Sequence, residues 1–174
     1  MNVLIIYATT EGHTGKVVNF ISDLLTEQGH SVSAFDTEAG NERPKLDEFD
    51  AIIIAGSVHS GKHQEALELF VFANRDELNK LPTLFLSVSM AAAFEDSRQD
   101  AERYVREFSN STNLKPSDQL MVAGAIRPGD HDYYQEATLQ YGDLADHAQT
   151  DMKEDKDFTD WDALKDHVIR FIDE

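Results

Sequence analysis

A chain of 174 residues has room for one sizeable core and too little for two, so a single domain spanning 1–174 is expected. Its 33 acidic residues against 15 Lys and Arg give a formal net charge of −18, which argues against nucleic acid as a partner. Cysteine is absent, which removes disulfides, thiolate metal sites and cysteine nucleophiles.

No leader-like segment precedes the first strand-like run and no apolar stretch approaches a membrane span, so a cytoplasmic protein without a transmembrane segment is expected. The surplus of carboxylates has two readings, a high-salt cytoplasm and an ordinary solvated acidic surface.

Residues 3–7 read as a buried strand, and 14–28 as a helix with Val17, Ile21, Leu24 and Leu25 on one face, stopped by Gly29. Residues 31–36 alternate as an outer strand. After a polar loop containing Pro44, the Ile-rich run 51–55 reads as a strand buried on both faces. A helix over 64–78 turns Leu67, Phe70 and Val71 inward, and Pro82 introduces a strand over 83–88. Residues 97–108 read as a helix with the stripe Ala101, Tyr104, Val105 and Phe108, and its opening Ser-Arg-Gln-Asp predicts a capping box. A fifth strand is expected over 119–125. The closing helix, 159–172, carries Trp161, Leu164, Val168, Phe171 and Ile172 on one face.

That alternation predicts a three-layer α/β sandwich, a five-stranded parallel sheet of order 2-1-3-4-5 with helices on both faces. Its ligand crevice lies beyond the carboxyl ends of the strands, where the order reverses between the first and third. Two loops, 9–14 and 57–63, are therefore brought side by side.

The first loop ends in Gly15-Lys16 and invites a nucleotide reading. A Walker loop fails at two defining positions, with Thr10 in place of the first Gly and Val17 in place of the magnesium-binding hydroxyl. A dinucleotide fingerprint also finds Thr10 in place of its first Gly, although Asp36 sits about where a ribose-binding acid is expected. Hydroxyls are abundant instead. Thr9, Thr10 and Thr14 surround Gly12, and backbone amides from Glu11 onward open a helix whose positive end faces the crevice. Such a loop suits a terminal monophosphate held without a metal ion.

The run Ile5-Ile6-Tyr7-Ala8-Thr9-Thr10-Glu11-Gly12-His13-Thr14 resembles the FMN-phosphate signature of flavodoxins. Ala55-Gly56-Ser57-Val58-His59-Ser60-Gly61-Lys62-His63 is similar to the second flavin loop of the flavodoxin-type, quinone-dependent protoporphyrinogen oxidases, as are Ser87-Val88-Ser89-Met90, the stretch from Val122 to Arg127, and Phe158-Thr159-Asp160-Trp161. The resemblance implies a flavodoxin-like fold and noncovalent FMN. It implies phosphate contacts from Thr9, Thr10, Glu11, Gly12, His13 and Thr14. It also implies ring contacts from Ser57, Val58, His59, Ser60, Gly61, Ser87, Val88, Ser89 and Met90, with Gly61 beside the reactive N5.

By the same resemblance, the chain oxidises a porphyrinogen in heme biosynthesis and passes electrons through FMN to a quinone or another acceptor. The ring loops offer only His59 and, further on, Phe94 as aromatic stackers, which predicts a less extreme reduction potential than a low-potential carrier has. His59, Lys62 and Arg127 are the candidate catalytic groups, and Lys62, Arg98 and Arg127 the candidate partners of porphyrinogen carboxylates. No general base can be assigned. The alternatives are an electron-transfer flavodoxin docking a basic redox protein and an NAD(P)H-quinone reductase.

The family carries a basic amphipathic insertion between the fifth strand and the last helix. Here the matching segment, about 128–157, is acidic, with Lys153 and Lys156 alone opposing residues such as Asp130, Asp143 and Asp157. An anionic membrane surface repels it, so membrane docking is not expected at low salt. His59 and His63 are four apart, a spacing that on a helix presents two imidazoles to a metal. With no neighbouring acid to complete a ligand set, no metal site is expected.

Overall fold

A computed structural model of the chain describes residues 1–10, 12–40, 42–126 and 156–174. Among the described residues, four α-helices pack on both faces of a parallel sheet. The sheet strands are β1 (Asn2–Ala8), β2 (Ser31–Asp36), β3 (Ala51–His59), β5 (Thr83–Ser89) and β6 (Asp118–Ala123), with order β2-β1-β3-β5-β6. A short strand β4 (Lys62–His63) folds back antiparallel on β3, so the order is the expected 2-1-3-4-5 topology with one hairpin strand added. A second ladder pairs β7 (Ala125–Ile126) with β8 (Lys156–Asp157).

Alternation along the central strands builds two cores. Val3, Ile5, Ile53, Leu84 and Leu86 face α1 (His13–Glu27) and α4 (Trp161–Asp173), meeting Val17, Ile21, Leu164 and Val168. Their neighbours Leu4, Ile6, Ile52, Ile54 and Phe85 face α2 (Glu65–Leu78) and α3 (Arg98–Thr112), meeting Leu67, Val71, Val105 and Phe108. A strand covered on both sides has no polar face, which is why these runs are continuously apolar. Each fully buried side chain of this size contributes about 1.5–3 kcal/mol of transfer free energy.

Helix α1 ends where Gly29 takes φ 87. The Gly29 amide donates to the Thr26 carbonyl and the His30 amide to the Leu25 carbonyl, the paired bonds of a Schellman stop.

Three expectations need correction. Strand β3 runs on through Ser57, Val58 and His59, held in register by Ser57 opposite Val88 and Val58 opposite His63, so these residues are strand rather than loop. The expected fifth strand breaks at Gly124, whose amide donates to Ser89 O and whose carbonyl accepts from Phe158. The predicted capping box does not form. The buried Ser97 hydroxyl donates to Ala91 O at 2.9 Å, because the 3₁₀ turn Glu95–Ser97 feeds α3 and turns this side chain inward. Among the described residues no helix is long and apolar enough to cross a membrane.

Candidate functional site

The carboxyl ends of the central strands open onto one depression. It is lined by Thr9, Thr10, His13 and Thr14 after β1, by Ser57, Val58 and His59 at the end of β3, and by Val88 and Ser89 of β5. Gly124 and Ala125 close it from the β6 side. The two loops expected side by side are side by side.

The turn entering α1 is built around Gly12, which takes φ 83, a conformation open to glycine and costly for most other residues. Its amide donates to Thr9 Oγ1 at 3.0 Å, and its carbonyl accepts the first helical bond from Lys16. Thr14 is fully buried, and its Oγ1 has no hydrogen-bond partner. An unsatisfied buried hydroxyl costs about 1–3 kcal/mol, a cost that a ligand accepting from it removes. It stands at the positive end of a 15-residue helix, where anions are stabilised.

Lys16, the residue that suggested a nucleotide loop, is turned elsewhere. Its Nζ donates to Asp157 Oδ2 at 2.9 Å and lies 5.2 Å from the centre of the Trp161 ring. Burial pushes the Asp157 carboxyl up, but hydrogen bonds from Lys16 and Thr159 and the nearby His13 outweigh it and hold the group at about 2. The Thr159 hydroxyl donates to Ala123 O at 2.7 Å, so the 2.8 Å contact with His13 Nε2 is one in which the imidazole donates. The first turn of α1 is thereby tied to the entry of α4.

On the opposite wall, the β3–β4 hairpin turns through Ser60 at φ 49 and Gly61 at φ 77. His59 and His63 therefore lie across a hairpin, not along a helix, and point differently. His59 lines the depression, whereas His63 is buried against the stacked pair Phe85 and Phe108 with its Nε2 at 3.0 Å from Ser87 Oγ. Burial pushes His63 down to about 4, so it is neutral at pH 7. Gly56 leaves the room this packing needs. A Cβ there lies 2.6 Å from Leu67 Cδ2 and 3.2 Å from His63 Cδ2. Next to His63, Gln64 reaches both walls, its Nε2 donating to Thr10 Oγ1 at 3.1 Å and to Ser57 Oγ.

Not every residue singled out in the sequence lines the depression. The Ser87 side chain faces His63, and Met90 is buried with Ile126. Phe94 meets Phe158 edge to face at 5.5 Å. Lys62 is exposed on the hairpin, close enough to Glu68 to act on its carboxyl. Arg98 is paired with Glu95 and Glu102. Glu11, Arg127 and all of the acidic insertion except Lys156 and Asp157 lie outside the described residues.

Sequence reasoning missed Gln64, Gly124, Ala125 and the Lys16–Asp157 pair. The signal for Gly124 was its place at the end of a sheet strand. A contact between residues 16 and 157 leaves no local signal at all.

Comparison with known proteins follows the same lines. The family model described as "Flavodoxin domain" matches residues 4–153. The protoporphyrinogen IX dehydrogenase (quinone) of Escherichia coli K12 is 24% identical over 165 residues, covering 94% of this chain and 91% of that protein. The protein of the same name from Leishmania major is 24% identical over 164 residues, covering 93% of this chain and 71% of its own. Among solved structures, oxidised flavodoxin 1 from Bacillus cereus superposes with a TM-score of 0.52 at 18% identity, covering 84% of this chain and 99% of that one.

Proposed function

Because the chain belongs to the flavodoxin domain family, we propose that it binds FMN noncovalently and oxidises a porphyrinogen, passing the electrons to a quinone or another acceptor. One observation carries the cofactor reading: a cradle of hydroxyls at the start of α1, in which the buried Thr14 Oγ1 lacks a partner. A phosphate monoester fits it. Thr10, Thr14 and Ser57 and the amides of the first turn would hold its phosphate oxygens as donors, and the helix end would stabilise the charge.

Bound flavin supplies the hydride-accepting and electron-passing chemistry. The chain's own groups position it. His59 and Val58 line the depression from β3 and Val88 and Ser89 from β5, and on the β6 side Gly124 and Ala125 bring no side chain larger than a methyl. Lys62, exposed on the β3–β4 hairpin, is the proposed contact for a substrate carboxylate. The likeness over nearly the whole chain to the protoporphyrinogen IX dehydrogenases supports this substrate class.

The test is anaerobic turnover of the FMN-loaded protein with protoporphyrinogen and a soluble quinone, at low and at multimolar salt. Porphyrin appears in at least one condition if the reading holds; none in either refutes it. The net charge of −18 favours a second reading, a flavodoxin that passes electrons between basic redox proteins. In that case porphyrin does not form, while reduction by a flavodoxin reductase proceeds and slows steeply with salt.

A further inference from the structure

Gln64 occupies the N-cap position of α2, yet its side chain caps nothing. That position favours Ser, Thr, Asp or Asn, whose short side chains reach the helix amides. The amide is turned instead across the depression, where Nε2 donates to Thr10 Oγ1 and to Ser57 Oγ, and both of those residues line the depression. The other end of the same amide is poorly served. Gln64 Oε1 is buried and has no hydrogen-bond partner, so the fold carries the full desolvation of that carbonyl. A side chain needed only to fill this space against Leu67 and Gly56 is better apolar.

The two hydrogen bonds have a directional consequence. An NH2 group has two hydrogens and gives one to each hydroxyl. Each hydroxyl oxygen then accepts, and its own hydrogen is left to be donated elsewhere. We propose that Gln64 is a positioning residue for phosphate recognition: it holds Thr10 and Ser57 as hydrogen-bond donors, so that they join Thr14 in a site that accepts a phosphomonoester dianion and discriminates against an uncharged alcohol. The inference rests on the FMN reading and deepens it, since riboflavin differs from FMN by that phosphate. An alcohol brings its own donor and cannot receive all three hydroxyl hydrogens.

Flavin fluorescence quenching with the wild type, Gln64→Leu and Gln64→Glu, each titrated with FMN and with riboflavin, tests this alongside urea unfolding of the three apoproteins. The wild type is expected to prefer FMN. Gln64→Leu lowers that preference about tenfold or more, through FMN alone, while its apoprotein is as stable as the wild type or more so because the orphaned carbonyl is gone. Gln64→Glu, nearly isosteric, offers only acceptors at neutral pH and a like charge to the phosphate, and loses more FMN affinity still. An unchanged FMN-to-riboflavin ratio in both variants overturns the role of Gln64. So does an equal loss for both flavins together with a weakened apoprotein, the pattern of a purely structural residue. A wild type that binds neither flavin overturns the FMN reading itself.

Discussion

Acidifying the protein should destabilise it through one buried imidazole. His63 packs against the stacked rings of Phe85 and Phe108, with its ordinary value near 6.5 pushed down to about 4 by burial. Between those two values the unfolded chain binds a proton that the folded chain refuses, so protons drive unfolding. The stabilisation is complete above pH 6.5 and is lost as pH falls toward 4. At about 1.4 kcal/mol per pH unit the whole effect is about 3 kcal/mol, of which about 2 kcal/mol is gone by pH 5. Other carboxylates also titrate near the lower end, so the measurement is a difference. Urea unfolding of the wild type is compared with His63→Phe/Ser87→Ala, which keeps an aromatic ring against the two phenylalanines and leaves no hydroxyl orphaned. At constant high ionic strength, the wild type loses about 2 kcal/mol relative to the variant between pH 7 and pH 5. Parallel pH profiles refute the assignment of a buried neutral His63.

Gly56→Ala places a methyl 2.6 Å from a fully buried Leu67 and 3.2 Å from His63, and thermal unfolding should show a loss of about 1–3 kcal/mol, because both buried side chains must shift to make room. An unshifted Tm contradicts the close packing described here. Lys16→Met removes the contact to Asp157 and leaves the hydroxyl cradle in place, so FMN affinity should stay within about threefold by titration, as expected for an ion pair that does not itself line the depression. A collapse of affinity restores lysine to the phosphate site. In the same variant the Asp157 carboxyl loses the hydrogen bond from Lys16, and its titration, followed by NMR, should move up from about 2.

Much of the fold was legible because it rests on local periodicity. The Ile-rich runs at 3–7 and 51–55 and the stripe Val17–Ile21–Leu25 carry their burial in their spacing, and both cores follow from it. That Thr9, Thr10 and Thr14 share one turn of the depression, built around Gly12, was legible for a different reason: the hydroxyls and the glycine fall in a few adjacent positions directly after a buried strand. What sequence could not supply was orientation. The His59–His63 spacing suits a helix as well as a hairpin, and only the pairing of β4 with β3 sends one ring to the site and the other to the core. Ser97 had the right neighbours for a capping box, but tertiary contact with Ala91 took its hydroxyl. Lys16 looked like a phosphate ligand because its partner, Asp157, is far along the chain.

The claim that most depends on this geometry is that the cradle at the start of α1 holds a flavin by its phosphate. Calorimetric titration of the wild type and Thr14→Val with FMN and with riboflavin addresses it directly, since valine matches threonine in shape and removes only the orphaned hydroxyl. The account predicts one FMN bound per chain, an affinity about 10- to 100-fold lower in Thr14→Val, and no difference between the two proteins for riboflavin. FMN binding that is absent from the wild type, or unchanged by Thr14→Val, contradicts it.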